Sequence, residues 1–418
     1  MRVIFIIVLI LAGCNRQSAD EQFSLGVKYQ NGDGVPADSK KASEWYTKAA
    51  KRGYAPAEFN LAVMYQSGDG VSKDSAQAAY WYGQAAEHGD QEAASTLAML
   101  YDMGDGIPRD AQKATYWYRK AAERGDADAQ VSLATMYGRG DGVPSDLSMA
   151  AEWYTKAASQ GRMHAQFNLA MMYARGDGVR RDSATAARWY RKAADQDHPM
   201  AQYNLGALYY NGDGVPRDMA AAFDWFTKSA GFGNADAQNA LALMYQKGEG
   251  VAKDLGQAAE WFTKAAEQNH AEAQFNLGSM YYFGDGVPKD LQKASTWFRR
   301  AADQGHSDAQ FNLAIIYLKG EGVTANLSES IGWMKKAADQ GDATAQFNLA
   351  MLYSSGRGVP KDVVQAVMWA DLAAAAGEPN SPKLLASLEK TARPDQISEA
   401  IQKEHEWKPN VQYSWSIK

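Results

Sequence analysis

Ten tryptophans stand at a constant interval of 36 residues: Trp45, Trp81, Trp117, Trp153, Trp189, Trp225, Trp261, Trp297, Trp333 and Trp369. Ten tyrosines keep the same step, from Tyr29 and Tyr65 to Tyr353. A fixed period of this length is the signature of a stacked repeat array. In such an array each unit contacts mainly its neighbours, and the product is a long surface rather than a closed pocket. The pattern therefore argues for a binding body and against an enzyme.

The N-terminus reads as an address. Met1 and Arg2 precede an apolar run from Val3 to Ala12. That run is too short to span a bilayer and has the length of a secretory signal's core. It ends Leu11-Ala12-Gly13-Cys14, which resembles a bacterial lipobox. The resemblance implies removal of residues 1–13, a lipid on the Cys14 thiol and a short tether over residues 14–21. Asn15 rather than an aspartate follows, which by the same resemblance implies an outer-membrane lipoprotein of the cell envelope, facing the periplasm. Cys14 is the only cysteine, so no disulfide is available and stability must come from stacking. The net charge of −6 argues against nucleic acid, which calls for a basic face. It also leaves no polybasic patch for anionic lipid.

One unit, residues 54–89, illustrates the rest. Ala57, Leu61, Ala62 and Tyr65 share one helical face. This helix, called A, ends at Gly68, where a left-handed cap is easily accommodated. Asp74 stands at the N-cap of a second helix, B. Helix B carries Ala78, Trp81, Tyr82, Ala85 and Ala86 on one side and stops at Gly89. Alanine or glycine recurs at the place of Ala62, so the helices can approach closely. The tryptophan stripe reads as core filling the space between layers.

The pattern A-x-x-x-L-G/A-x-x-Y-x-x-G-x-G-V-x-x-D-x-x-x-A-x-x-W-Y/F-x-K-A-A-x-x-G resembles the Sel-1-like repeat family. That resemblance implies an all-α, right-handed α-solenoid of about ten helix-turn-helix units, related to tetratricopeptide repeats, over residues 22–377. Local departures are Asp197 and Asn269 for the terminal glycine, Asn326 for the capping aspartate and Arg357 for the loop acid. After Gly377 the repeat decays. Ser381-Pro382 and Pro394 look like helix starts, so residues 378–418 read as a C-terminal helical cap with a loose tail from 408 that includes Trp415.

Chemistry-bearing patterns are sparse. The recurring Gly-Asp/Glu-Gly loops carry a second acid five residues on, as in Asp33 and Asp38 or Asp69 and Asp74. They lack the alternating acids of a calcium loop, and the turn-plus-cap reading suffices. His198, His270 and His306 hold equivalent positions after helix B and read as exposed loop residues, too far apart for one metal ion. Ser387-Leu388-Glu389-Lys390 matches S-x-x-K, but no S-D-N or K-T-G accompanies it, so no penicillin-type nucleophile is assembled. No cofactor motif is present, and no enzymatic activity is expected.

What remains is the face of helix A turned from helix B. By analogy with tetratricopeptide repeats, positions two before and two, five and six after the repeat leucine line an inner wall. They give Met99 and Met103, Arg139, Met171 and Arg175, Tyr210, Tyr282 and Phe283, and Leu318 and Lys319. Phe167 falls there too, but fits sideways packing between units equally well. Aromatics and arginine commonly anchor interfaces, and methionine packs adaptably. The expected function is a lipid-anchored scaffold that binds a protein or peptide along this wall. The alternatives are a peptidoglycan or polysaccharide binder, with Tyr210 and Tyr282 stacking on sugars, and an enzyme acting on β-lactams or peptidoglycan.

Overall fold

The structure, a computed structural model, describes residues 17–410. Cys14, the signal segment and Trp415 lie outside the described residues. Contacts divide the chain into two compact units, Met1–Lys192 and Ala193–Lys418. Among the described residues every regular element is a helix. The first unit holds α1 (Ala19–Asn31), α2 (Ser39–Ala50), α3 (Ala55–Ser67), α4 (Ser75–Glu87), α5 (Gln91–Met103), α6 (Ala111–Glu123), α7 (Ala127–Arg139), α8 (Leu147–Ser159), α9 (Met163–Arg175) and nearly all of α10 (Ser183–Ala194). The second holds α11 (Pro199–Asn211), α12 (Met219–Gly231), α13 (Ala235–Lys247), α14 (Leu255–Glu267), α15 (Ala271–Phe283), α16 (Leu291–Asp303), α17 (Ser307–Lys319), α18 (Leu327–Asp339), α19 (Ala343–Ser355), α20 (Val363–Ala375), α21 (Ser381–Glu389) and α22 (Pro394–Glu406). Up to α20 the odd helices are A and the even ones B. Helix α1 starts at Ala19, with Ser18 in a capping box, so residues 19–21 belong to the first helix rather than to a tether.

The A-to-B connection is closed by its own backbone. Gly68 adopts a left-handed φ of 84° and returns its N–H to the Met64 carbonyl. The Asp74 N–H then donates to the Tyr65 carbonyl at 2.9 Å. The Asp74 carboxylate accepts from the Ala76 and Gln77 amides at 3.0 Å, capping α4. Asn326 does the same work with its amide oxygen, accepting from Glu329 N–H at 3.1 Å. The substitution therefore leaves the cap intact.

The second loop glycine does a different job. Gly142 has φ +71°, and a Cβ there would lie 2.2 Å from the Ala111 carbonyl oxygen of the preceding repeat. The loop backbone thus rests directly on the first turn of the previous B helix. Gly250 meets Met219 and Gly286 meets Leu255 in the same way, each at 2.3 Å. Gly34 shares the left-handed φ (+72°) but has nothing within 4 Å, because no repeat precedes it among the described residues.

From α2 to α16 the buried ring of each B helix is the residue after the tryptophan; α18 and α20 have Met334 and Ala370 there. Tyr46 and Phe262 are 0% exposed and Phe226 1%. Only Trp153, Trp225, Trp333 and Trp369 are buried, whereas Trp45, Trp81, Trp117, Trp189, Trp261 and Trp297 are half-buried. The ladder is therefore a flank of the core rather than its centre. An indole is too large to be covered by one neighbouring helix. A lysine one turn on lies over many of these rings, with Lys48, Lys156 and Lys264 each 3.7 Å from the ring centre, a cation–π contact that keeps the ammonium in water.

A second ladder links successive B helices through buried glutamines. Gln130 donates to the Ala122 carbonyl at the end of α6 (3.1 Å) and accepts from Gln160 at the end of α8 (2.9 Å). The second unit repeats this with Gln238 between Ala230 and Gln268 (3.3 and 2.8 Å). Gln274 spans Ala266 and Gln304 (3.0 and 2.7 Å). Each clamp satisfies a carbonyl that the helix end leaves open. At equivalent places Glu58 pairs with His88 at 2.8 Å, and Arg124 reaches the Ala86 carbonyl at 3.2 Å where Ala94 replaces the glutamine. Where the donor position is Phe232 or Ala376, the Oε1 of Gln202 or Gln346 is left unpaired.

The three equivalent histidines are not exposed loop residues. His198 and His306 are buried, and the His270 side chain is only 8% exposed. Each is the N-cap of the next A helix: Nδ1 accepts from the Ala201, Ala273 or Ala309 amide. Nε2 of His270 meets Asp236 at 3.2 Å, and Nε2 of His306 meets Glu272 at 2.9 Å. The left-handed turn before the cap is kept by Asp197 (φ 62°) and Asn269 (φ 70°) in place of glycine.

Helices α21 and α22 both pack on α20. Ser381 donates to the Ala370 carbonyl at 2.7 Å, and Leu388 and Ala400 are buried. The Trp407 and Trp369 ring centres are 6.3 Å apart, and Asn410 N–H donates to the Asp339 carbonyl at 2.8 Å. Residues 408–410 are therefore docked, not loose. Ser387 and Lys390 are exposed on this cap.

Two outcomes are expected. Gly142→Ala should lower stability in urea denaturation by roughly 2–4 kcal/mol, since it adds a backbone clash to a left-handed alanine. Gly34→Ala should cost only about 1–2 kcal/mol, from conformation alone; equal losses would contradict the contact. Phe232→Gln supplies the missing donor to Gln202 and should raise the second unit's unfolding midpoint, a gain of about 0.5–1.5 kcal/mol.

Candidate functional site

Helix A offers the face on which the sequence placed its binding residues, and each unit shows a small cavity there. In the second unit a cavity of about 210 Å³ is lined by Phe275, Ser279, Tyr282 and Phe283 of α15, Phe298 of α16, and Asn312, Ile315 and Ile316 of α17. It brings together Tyr282 and Phe283. Phe283 is 67% exposed at its rim and meets Tyr282 edge to face with ring centres 5.0 Å apart. Leu318, Lys319 and Tyr210 do not line it.

One of its walls is the buried ring of helix B, phenylalanine at 298 as at 226 and 262. In an earlier repeat the equivalent buried ring is Tyr82, whose hydroxyl donates to Gln66 at 2.7 Å. Phenylalanine at 298 has no hydroxyl to share. The Asn312 amide lines the cavity beside Phe298, Phe275 and Ile315.

Tyr282 is less free than its position suggests. Its hydroxyl donates to Glu321 Oε2 at 2.7 Å, and this bond to a carboxylate holds the phenol above its usual pKa. Lys319 lies 3.7 Å from the same carboxylate. Tyr210 donates to Glu249 at 2.6 Å, and burial, followed by that carboxylate, pushes its pKa up to about 12. These two tyrosines pair with the two glutamates that replace aspartate in the Gly-Asp-Gly loops. Both pairs are 39 residues apart, and the extra methylene of glutamate supplies the reach. Sequence reasoning missed this, although the matched pair of exceptions was visible in it.

In the first unit a cavity of about 180 Å³ has Met171 and Arg175 in its lining, with Tyr154, Asn168, Met172 and Asp177. Met99 (41% exposed) and Met103 (72% exposed) stand out from α5, and Arg139 is exposed at the end of α7; none of these lines the cavity. Phe167 packs against Tyr190, ring centres 6.0 Å apart, the arrangement that Phe59 makes with Tyr82 and Phe275 with Phe298. It is a sideways packing residue.

Among the described residues no group of three or more histidine, cysteine or acidic side chains could hold a metal ion, and no helix is long and apolar enough to cross a membrane.

Comparison with known proteins fits this geometry. The Sel1 repeat profile matches ten consecutive segments: residues 22–54, 55–90, 91–126, 127–161, 164–198, 199–231, 235–270, 271–306, 307–342 and 343–378. The chain is similar to c5321, a protective antigen present in uropathogenic Escherichia coli strains that displays an SLR fold. The two are 35% identical over 93% of this chain and 91% of that one, with a TM-score of 0.62. It is also similar to a Sel1 repeat protein from Oxalobacter formigenes, 36% identical over 74% of this chain and 90% of that one, with a TM-score of 0.61. No curated protein matches. Solenoids of this kind generally present extended surfaces to protein partners. Ten matched segments and two extensive structural likenesses establish that the chain belongs to the Sel1 repeat family.

Proposed function

We propose that this protein is a non-enzymatic scaffold of the bacterial cell envelope, held by lipid on Cys14 at the outer membrane and facing the periplasm. It binds a partner protein or peptide on the outward face of helix A. The observation that carries the binding reading is the cavity between α15, α16 and α17. At about 210 Å³ it falls below the roughly 300–1,000 Å³ of pockets that enclose a small-molecule ligand. It suits one apolar side chain of a longer ligand. Phe283 at the rim covers that side chain, and the Asn312 amide hydrogen-bonds the ligand backbone. A central anchor ringed by weaker contacts is how such interfaces concentrate their affinity.

The anchor reading rests on chemistry that varies between repeats while the frame stays constant. The lipid reading rests on Leu11-Ala12-Gly13-Cys14, and mass spectrometry of the mature N-terminus decides it: an unmodified Cys14 removes the anchor.

A photo-crosslinking phenylalanine analogue at position 283 should trap a discrete envelope partner. With Phe283→Ala and Asn312→Ala together, capture of that partner by wild-type-length protein should fall at least tenfold, the scale of a lost hot spot. An unchanged partner profile would sink this site.

A further inference from the structure

Both A helices of the cavity, α15 and α17, are capped by histidine, the side chain whose charge changes between about pH 5 and 8. The A helices on either side of them are not: α13 begins at Asn234 and α19 at Asp342. His306 Nδ1 accepts from the Ala309 amide at 3.3 Å, and its Nε2 lies 2.9 Å from Glu272. His270 Nδ1 accepts from Ala273 at 3.1 Å, and its Nε2 lies 3.2 Å from Asp236. This geometry fits one protonation state. A lone pair on Nδ1 takes the amide, and a proton on Nε2 meets the carboxylate. His306 also stacks on Phe275, with ring centres 4.7 Å apart and planes 20° from parallel. Phe275 is a wall of the cavity.

A second proton on either imidazole forces a choice. It lands on Nδ1, where it meets the Ala309 or Ala273 N–H donor to donor. The carboxylate at Nε2 favours the imidazolium, while the amide and the positive end of the helix dipole oppose it. The ring keeps its acid and releases the first turn of its helix. The charged groups on the elements packed around His306 are Glu272 from α15, Asp303 at the end of α16, Asp308 in the first turn of α17, and Asp342, which caps α19 within reach of the Asp308 charge. Around His270 they are Asp236 from α13, Glu267 at the end of α14 and Glu272 in α15. The last cations of α14 and α16, Lys264 and Arg300, lie over the rings of Trp261 and Trp297 at 3.7 and 4.6 Å.

We propose that the helix-A cavity is gated by pH: proton uptake by His306 and His270 frees the first turns of α17 and α15, shifts the Phe275 wall and weakens binding in acid. The regulation rests on the anchor reading of the cavity, whereas the gate is a property of the chain alone. Asn234, which takes the Ala237 amide at 2.8 Å, caps the same position with a group that does not titrate.

The test compares the full chain with the His270→Asn/His306→Asn pair at about pH 7.5 and about pH 5.5, either side of the imidazole range. Amide hydrogen exchange is corrected for intrinsic rates. In the native chain, protection at Ala273 and Ala309 should fall at least threefold in acid, the scale of a lost cap, while Ala237 stays constant. In the asparagine pair all three stay constant. A para-fluorophenylalanine at position 283 should change its fluorine resonance over the same range in the native background alone. Constant protection at Ala273 and Ala309, an equal fall in the asparagine pair, or a fluorine signal indifferent to loss of the caps would overturn the gate. Photo-crosslinking from position 283 on envelope extract should fall at least threefold in acid for native caps only, and equal capture at both pH values would overturn the regulation. No capture at either pH sinks the anchor reading instead, and the gate is then decided by the exchange and fluorine results.

Discussion

Backbone rests on backbone in this protein. Where Gly142 sits on the Ala111 carbonyl, there is no room for a side chain and no tolerance for an extra residue in the loop. The left-handed φ and the close approach act at the same atom, so only glycine fits. This contact explains why the 36-residue period runs without insertion: a longer loop would lift off the helix beneath it. The glutamine clamps act at the other end of the B helices, joining one C-terminus to the next through a buried amide. Together these two links fix neighbouring repeats within each unit at both ends. Stability in such an array is close to a sum of nearest-neighbour terms, and no disulfide contributes.

A frame this constant makes exceptions informative. Glutamate replaces aspartate in the loop at Glu249 and Glu321, and each reaches a tyrosine of the preceding repeat. Phenylalanine stands at 298, as at 226 and 262, and a cavity with the Asn312 amide in its wall lies beside it. Tyrosine stands at 80 and 116, where Glu44, Glu152, Arg188, Asp224 and Glu260 stand in other repeats, and an exposed aromatic surface results. None of these changes disturbs the caps or the glycine contacts, so the surface can vary without cost to the stack.

Much of the fold was legible in the sequence because its determinants are local. Gly68, the Asp74 cap and the helix starts at Ser381-Pro382 and Pro394 each act within a few residues of themselves. The tolerated departures, Asn326 as a cap and Asn269 as a left-handed residue, were legible for the same reason. What the sequence hid depends on partners about 30 to 40 residues away. The period marked Trp45 and Trp81 as conserved in register, but register does not say how much neighbouring surface covers a ring. His270 and His306 look like loop residues until Asp236 and Glu272 of the preceding repeat are placed beside them. The candidate wall was read as a face of helix A, and of the cavity's lining residues on α17, Asn312 and Ile315 were not among its named members. Their part in the cavity depends on α15 and α16, whose residues lie 14 or more positions away in the chain.

The central claim is that a loop is held by the repeat before it rather than by its own hydrogen bonds, and amide hydrogen exchange on the intact protein tests it most directly. Asp38 and Asp146 make the same bond, N–H to the tyrosine carbonyl, at 2.8 and 2.9 Å. Only the second lies in a loop seated on a preceding helix. The Asp146 amide should exchange at least tenfold more slowly than that of Asp38, with Asp290 in the other unit behaving like Asp146. Equal protection at Asp38 and Asp146 would show that the local turn is sufficient and would contradict the account.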